Sequence, residues 1–276
     1  MYMKYLGGKQ RLGKHLSPFL HEIWEKNKDD HKLNGYLEPF CGSLGVFKHM
    51  TNLKGARAGF VANDYHPDLI QLWKEVQSGE FKIPRSISEK QYNEAKELPS
   101  PSAYKAFVGF GMSFGGRYFG AYSQKYLGNK KEDFCREMKN SLERTAPFIR
   151  NANVKFTNHM YQSIKPKKKF IYCDPPYADT NFPIKYRRDV KRYDTFDNDE
   201  FWDIVRAWSK NNIVVVSETT APPDFIEIWN MNRYRSAAQS GKTRFQNEEK
   251  KKDTRKVEKL YIHKSLQSVI DNLKKN

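Results

Sequence analysis

The segment Phe170-Ile171-Tyr172-Cys173-Asp174-Pro175-Pro176-Tyr177 limits the fold more than any other: a short apolar run that ends abruptly in an acid and two prolines. An unbroken apolar run suits a strand covered on both faces, and proline, which has no N–H, cannot extend its ladder. Similar runs occur at Tyr36 to Phe40, Gly59 to Ala62, Asn153 to Thr157 and Ile213 to Ser217, with Tyr261-Ile262 as a candidate last strand. Between them the period changes. Leu12, Leu16, Phe19, Leu20 and Ile23 recur at helical spacing, as do Leu69, Ile70, Leu72, Trp73 and Val76, and a further helix is expected over Asp199 to Ser209. Strand, turn and helix in alternation predict an α/β fold, with a parallel sheet and helices on both faces.

From Ser78 to Asn153 the pattern becomes helical and polar, interrupted by Val108-Gly109-Phe110-Gly111-Met112-Ser113-Phe114-Gly115-Gly116-Arg117-Tyr118-Phe119-Gly120. Each glycine removes packing surface, so this run is expected to lie outside the core and the segment to be an insertion with its own task. Composition bounds that task. Against 32 Asp plus Glu stand 49 Lys plus Arg, a net charge of +17, which points to a polyanionic partner. The 18 Phe, 16 Tyr and 5 Trp exclude a solvated, disordered chain. There is no apolar run of membrane-spanning length and no apolar leader, so the expectation is a soluble, unexported protein. Cys41, Cys135 and Cys173 lack paired or zinc-type spacing and read as free thiols of a reducing, cytoplasmic compartment, the host's if the source is viral.

The chemistry gathers at strand ends. An acid after an apolar strand lies in the crevice where α/β sheets bind ligands, and two prolines keep the carbonyls of that turn rigid. A carboxylate and a carbonyl aimed at one point suit an exocyclic amino group with its two N–H donors, and Tyr177 offers a face for a planar base. Gly42 and Gly45 flank a turn where an absent Cβ would let the backbone approach a ligand, and Asp64, some twenty residues on, is placed for a ribose hydroxyl pair. Cys173 should point to the face opposite Asp174, into the core.

Taken together, these segments resemble the Dam-type (D12 class) N6-adenine DNA methyltransferases, whose signature is Asp-Pro-Pro-Tyr after a strand. Lys4-Tyr5-Leu6-Gly7-Gly8-Lys9 is similar to the family's N-terminal element, and Leu37-Glu38-Pro39-Phe40-Cys41-Gly42-Ser43-Leu44-Gly45-Val46-Phe47 to its cofactor loop. Asn63-Asp64 with Asp68-Leu69-Ile70 is similar to its second acidic strand end, Arg117-Tyr118 to the start of its DNA-reading loop, and Thr254-Arg255-Lys256-Val257-Glu258 to a C-terminal stretch. In Gly42-Ser43-Leu44-Gly45 the second glycine is one position further along than in the family's usual Gly-x-Gly.

The resemblance implies a Rossmann-like methyltransferase sheet formed by residues 1–77 and 151–276, with 78–150 as a mostly helical target-recognition insertion. It implies transfer of the methyl of S-adenosylmethionine to adenine N6 in duplex DNA by base flipping, leaving S-adenosylhomocysteine, without a metal. Asp174, Pro175 and Tyr177 would be catalytic, and Tyr5, Lys9, Phe40, Gly42, Asp64 and Asp174 would bind the cofactor, Lys9 near its carboxylate. Lys4, Ser113, Phe114, Arg117, Tyr118, Lys185, Arg187 and Arg188 would meet DNA, with Phe114 or Ser113 filling the gap left by the flipped base. Double-stranded DNA is the expected partner, a membrane is not, and a monomer is favoured. A methyltransferase acting on cytosine N4 or on RNA, and a catalytically inactive DNA-binding homologue, remain open. A dinucleotide-dependent oxidoreductase is disfavoured, because no Gly-x-Gly-x-x-Gly opens the first helix.

Overall fold

The structure is a computed structural model that describes residues 3–124, 126–127, 130–131, 133–176, 196–233 and 256–275. In chain order its elements are α1 (Gly13–Asn27), β1 (Gly35–Glu38), α2 (Phe47–Met50), β2 (Phe60–Asn63), α3 (Pro67–Ser78), α4 (Glu89–Glu97) and α5 (Ala103–Gly111). There follow the short pair β3 (Tyr126–Leu127) and β4 (Lys130–Lys131), then α6 (Phe134–Asn151), β5 (Lys155–Thr157) and β6 (Lys169–Cys173). The chain continues through α7 (Asn198–Ser209), β7 (Ile213–Glu218), β8 (Phe225–Arg233), β9 (Lys256–His263) and α8 (Gln267–Lys274).

Seven strands form one sheet in the order β5-β2-β1-β6-β7-β9-β8. The first five are parallel, β9 runs antiparallel to β7, and β8 antiparallel to β9. From β1 the chain steps outward to β2 and β5 on one side, then returns to lay β6 and β7 on the other. Order therefore reverses between β1 and β6, and ligand crevices of open α/β sheets form at the carboxyl ends of such a pair.

The two faces are covered unequally. A large apolar cluster joins α1, α3, α5, α6 and α8 to one face, with Leu16, Ile23, Trp24, Trp73, Phe107 and Phe170 fully buried. A smaller one packs Phe201, Trp202, Val205 and Trp208 of α7 against Ile171, Cys173, Val214 and Val216. Period two decides the division: Phe170 and Tyr172 face the first cluster, Ile171 and Cys173 the second. Helix ends follow ordinary rules. Ser88 and Gln91 form a capping box on α4, Asp133 and Asp197 cap α6 and α7, and Gly79 closes α3 at φ +85°.

Two expectations need correction. Val108 to Gly111 of the Gly-aromatic run are the buried end of α5, not an exposed segment. The glycines serve close packing there: a Cβ at Gly109 would lie 2.5 Å from the Tyr118 ring, and one at Gly111 3.2 Å from Met138. Gly45 meets protein rather than open crevice, because its Cβ would stand 2.7 Å from the backbone of Lys9 and Gln10.

That last contact ties the N-terminal loop to the turn after β1. A Cβ at Gly13 would fall 2.1 Å from the Gly45 carbonyl oxygen, a position backbone atoms cannot yield without moving the loop. Gly13→Ala is expected to cost about 3 kcal/mol, lowering Tm by roughly 6–10 °C in a thermal melt. An unchanged Tm would show that the two backbones do not meet.

Candidate active site at the carboxyl edge of the sheet

Parallel register brings three acids to one edge. Glu38 ends β1, Asp64 follows β2 and Asp174 follows β6, where Pro175 is buried behind it. Glu38 and Asp174 stand on the two strands that flank the reversal of order. Glu38 is 3 % exposed and accepts the Tyr36 hydroxyl at 2.7 Å. Burial pushes its carboxyl well above the usual range, and the neighbouring charge of Asp174 adds to the rise.

Lys9 enters this acidic edge from the N-terminal loop. Its Nζ lies 2.7 Å from Asp174 Oδ1 and 3.1 Å from Glu258 Oε1, on a side chain only 4 % exposed. The local sequence explains its course. Gly7 takes φ +79°, Gly8 abuts Ser43, and Gln10 donates to the Ser43 carbonyl while accepting Lys48 Nζ at 3.0 Å. Glycines let the loop nest against the turn after β1, and Lys9 is thereby directed across the edge to β6.

Asp64 holds that turn. Its Oδ2 accepts the Gly42 N–H at 2.9 Å and its Oδ1 the His66 N–H at 2.9 Å. Gly42 sits at φ +45° with the Tyr5 ring against its Cα, and Tyr5 packs on Phe110 at 5.1 Å between centroids. Burial pushes the Asp64 carboxyl up to about 6, against the two backbone donors, which lower it. Glu38, Asp64 and Asp174 thus line the edge beside Lys9, with burial holding the Glu38 carboxyl toward its neutral form. Such acceptor oxygens suit a ligand that carries positive charge and hydroxyl donors.

Of the expected cofactor residues, Tyr5, Lys9, Gly42, Asp64 and Asp174 come together at this edge. Phe40 lies on the α7 side, against Tyr161, Phe196 and Phe201. Lys9 engages Asp174 and Glu258, where a role near a cofactor carboxylate was expected. Tyr177 lies outside the described residues, as do Lys185, Arg187, Arg188 and the stretch Thr254-Arg255.

Among the residues expected at DNA, Phe114 is 62 % exposed and Arg117 is exposed beside it. Their turn touches the N-terminal loop: Leu6 N donates to Gly116 O at 3.3 Å, and a Cβ on Gly116 would lie 2.5 Å from Tyr5 N. Ser113 corrects the expectation, being fully buried, with its hydroxyl between the Gly109 carbonyl at 2.6 Å and the Tyr92 hydroxyl at 2.7 Å. Tyr118 is also turned inward, donating to Asp68 and stacking edgewise on His66. Lys4 points its ammonium at α6, 3.1 Å above the Phe134 ring and 3.6 Å from Glu137.

Sequence reasoning assigned no role to Glu38, Ser217 or Glu258. For Glu258 a signal existed: it shares the buried phase of β9 with Leu260 and Ile262. Among the described residues no cluster of His, Cys, Asp and Glu could hold a metal ion, and no helix is long and apolar enough to cross a membrane.

The raised Asp64 carboxyl gives a signed pH effect. A folded-state pKa above the ordinary 3.8 supplies stability that is full below that value and lost as pH rises through about 6. The difference in unfolding free energy between wild type and Asp64→Asn should therefore fall by about 2 kcal/mol between pH 4 and pH 7 in urea titrations. A pH-independent difference would contradict the buried carboxyl.

No curated protein matches the chain. Residues 5–106, from the loop that carries Lys9 through β1, the Gly42 turn and Asp64 into α5, match the family model of the D12 class N6 adenine-specific DNA methyltransferases, whose activity is methylation of adenine in DNA.

Proposed function

We propose that the chain is a site-specific DNA methyltransferase that places the methyl group of S-adenosylmethionine on adenine N6 in duplex DNA after flipping the base. The observation that carries this reading is Asp174, set by a rigid Pro-Pro turn at the reversal of strand order and held there by the Lys9 ammonium. The family match over residues 5–106 supports it.

The residues at the edge fit the cofactor. Its ribose offers two hydroxyl donors and its ammonium and sulfonium groups carry positive charge, matched by the carboxyl oxygens of Asp64, Glu38 and Asp174. Asp64, the Gly42 turn, Tyr5 and Glu38 would hold it, and when bound it supplies an electrophilic methyl group. The protein's work is on the amino group. The N6 lone pair is delocalised into the adenine ring, so the nitrogen must be drawn toward tetrahedral geometry. Hydrogen bonds from its two N–H groups to the Asp174 carboxylate and the Pro175 carbonyl would strengthen as positive charge develops on nitrogen. Such bonds favour the transition state over the ground state. Buried Pro175 and the Lys9 contact keep both acceptors in place as charge moves.

An adenine inside a duplex has its N6 in the stack, and extruding it costs a few kcal/mol. Phe114 supplies an exposed aromatic face on the turn that abuts the N-terminal loop, suited to occupy the vacated stack, and the exposed Arg117 beside it would meet phosphate or a base edge. Residues 78–150 would thus serve as the target-recognition segment. The net charge of +17 supports a phosphate-rich partner.

Asp174→Ala and Asp174→Asn are each expected to lower tritiated-methyl transfer to DNA by about 10²–10³-fold or more. DNA affinity by anisotropy should stay within about threefold of wild type. Undiminished turnover in either variant would overturn the assignment.

A further inference from the structure

We propose that Glu258, on the C-terminal antiparallel strand β9, is a positioning residue that fixes the Asp174 carboxylate by acting through Lys9. The inference rests on the methyltransferase reading above and assigns a task to a strand outside the matched segment.

Glu258 has a 1 % exposed side chain in the phase of β9 that otherwise buries Leu260 and Ile262. A carboxylate there loses its hydration and must be compensated by an opposite charge and hydrogen bonds. Both are present. Lys9 Nζ is 3.1 Å from Oε1, and Ser217, on the adjacent strand β7, donates its hydroxyl to the same oxygen. Sheet order explains the geometry: Asp174 follows β6, Ser217 lies on β7 and Glu258 on β9, three neighbouring strands. The Lys9 ammonium reaches across the middle strand and joins the outer two, 2.7 Å from Asp174.

A lysine side chain carries four rotatable bonds, and one carboxylate alone would leave its head free to swing. A second anchor on a sheet strand removes that freedom. With Lys9 held at both ends, one oxygen of Asp174 is fixed, and with it the plane in which the carboxylate meets an amino group. Glu258 touches neither substrate nor cofactor in this account. Displacing a reacting group by about 1 Å costs on the order of 10²-fold in rate, which sets the scale of the effect.

Glu258→Gln keeps size and removes charge. Single-turnover methyl transfer at saturating S-adenosylmethionine and DNA should fall about 30–100-fold. KM values for both substrates should stay within about threefold, because binding contacts are untouched. Lys9→Met should lose a similar factor, and the double variant should be no more than about threefold slower than Lys9→Met, since the two residues act as one unit. In crystals of unliganded Glu258→Gln the Lys9 ammonium should leave Asp174 Oδ1. If Glu258→Gln does not fold, Ser217→Ala, which removes only the hydroxyl donated to Glu258, should show a smaller loss that also vanishes in the Lys9→Met background. A wild-type rate in the folded variant, losses that multiply, or an unmoved Lys9–Asp174 contact would each overturn the proposal. Should wild type itself leave adenine unmethylated, the functional reading falls, and the crystal comparison still decides whether Glu258 positions Lys9.

Discussion

One buried ammonium organises the functional edge of this protein. Lys9 lies between Asp174 and Glu258 with its own side chain screened from water and pairs with both carboxylates. Lys9 and its two carboxylate partners come from the beginning, middle and end of the chain. The contact therefore requires the sheet to be complete, with β9 laid antiparallel beside β7, and requires the N-terminal loop to be docked. Local propensity supplies none of this.

The glycines near the N-terminus make sense in that light. Gly8 against Ser43, Gly13 against the Gly45 carbonyl and Gly45 against Gln10 are contacts of backbone with backbone or near it, and each leaves no room for a Cβ. They bring the loop close enough to the turn after β1 for Lys9 to reach β6. Asp64 completes the arrangement by tying Gly42 to the end of β2. Asp64 and Asp174 are thereby gathered beside one lysine, so packing and electrostatics at this site share one cause.

Much of the fold was legible because period and punctuation were strong. The strands at Phe170 and Ile213 and the helices at Leu12 and Asp199 appear within a few residues of their expected bounds. The strand β8 escaped notice because Glu227, Asn230 and Asn232 interrupt its apolar pattern and a bulge between Glu227 and Trp229 breaks its alternation. The Gly-aromatic run misled for a physical reason: in α5 a missing Cβ creates room for Tyr118 and Met138, so glycine there increases packing. Asp174 and Asp64 could be found from strand ends alone. The reach of Lys9 and the place of Glu258 could not, since they depend on which strands become neighbours.

The same limit applies to recognition of DNA. Arg117 and Phe114 stand on an exposed turn next to the loop that leads to Lys9, whereas Ser113, one residue before Phe114, is sealed inside. Adjacent residues of one motif thus divide between core and surface, and only the fold assigns them. We propose that this carboxyl edge methylates the amino group of adenine. That function is tested most directly by incubating the protein with S-adenosylmethionine and a plasmid library of random sequence, then reading modified bases by single-molecule sequencing. N6-methyladenine is expected at one recurring short sequence; unmodified adenine throughout, or methyl groups on cytosine instead, would contradict this function.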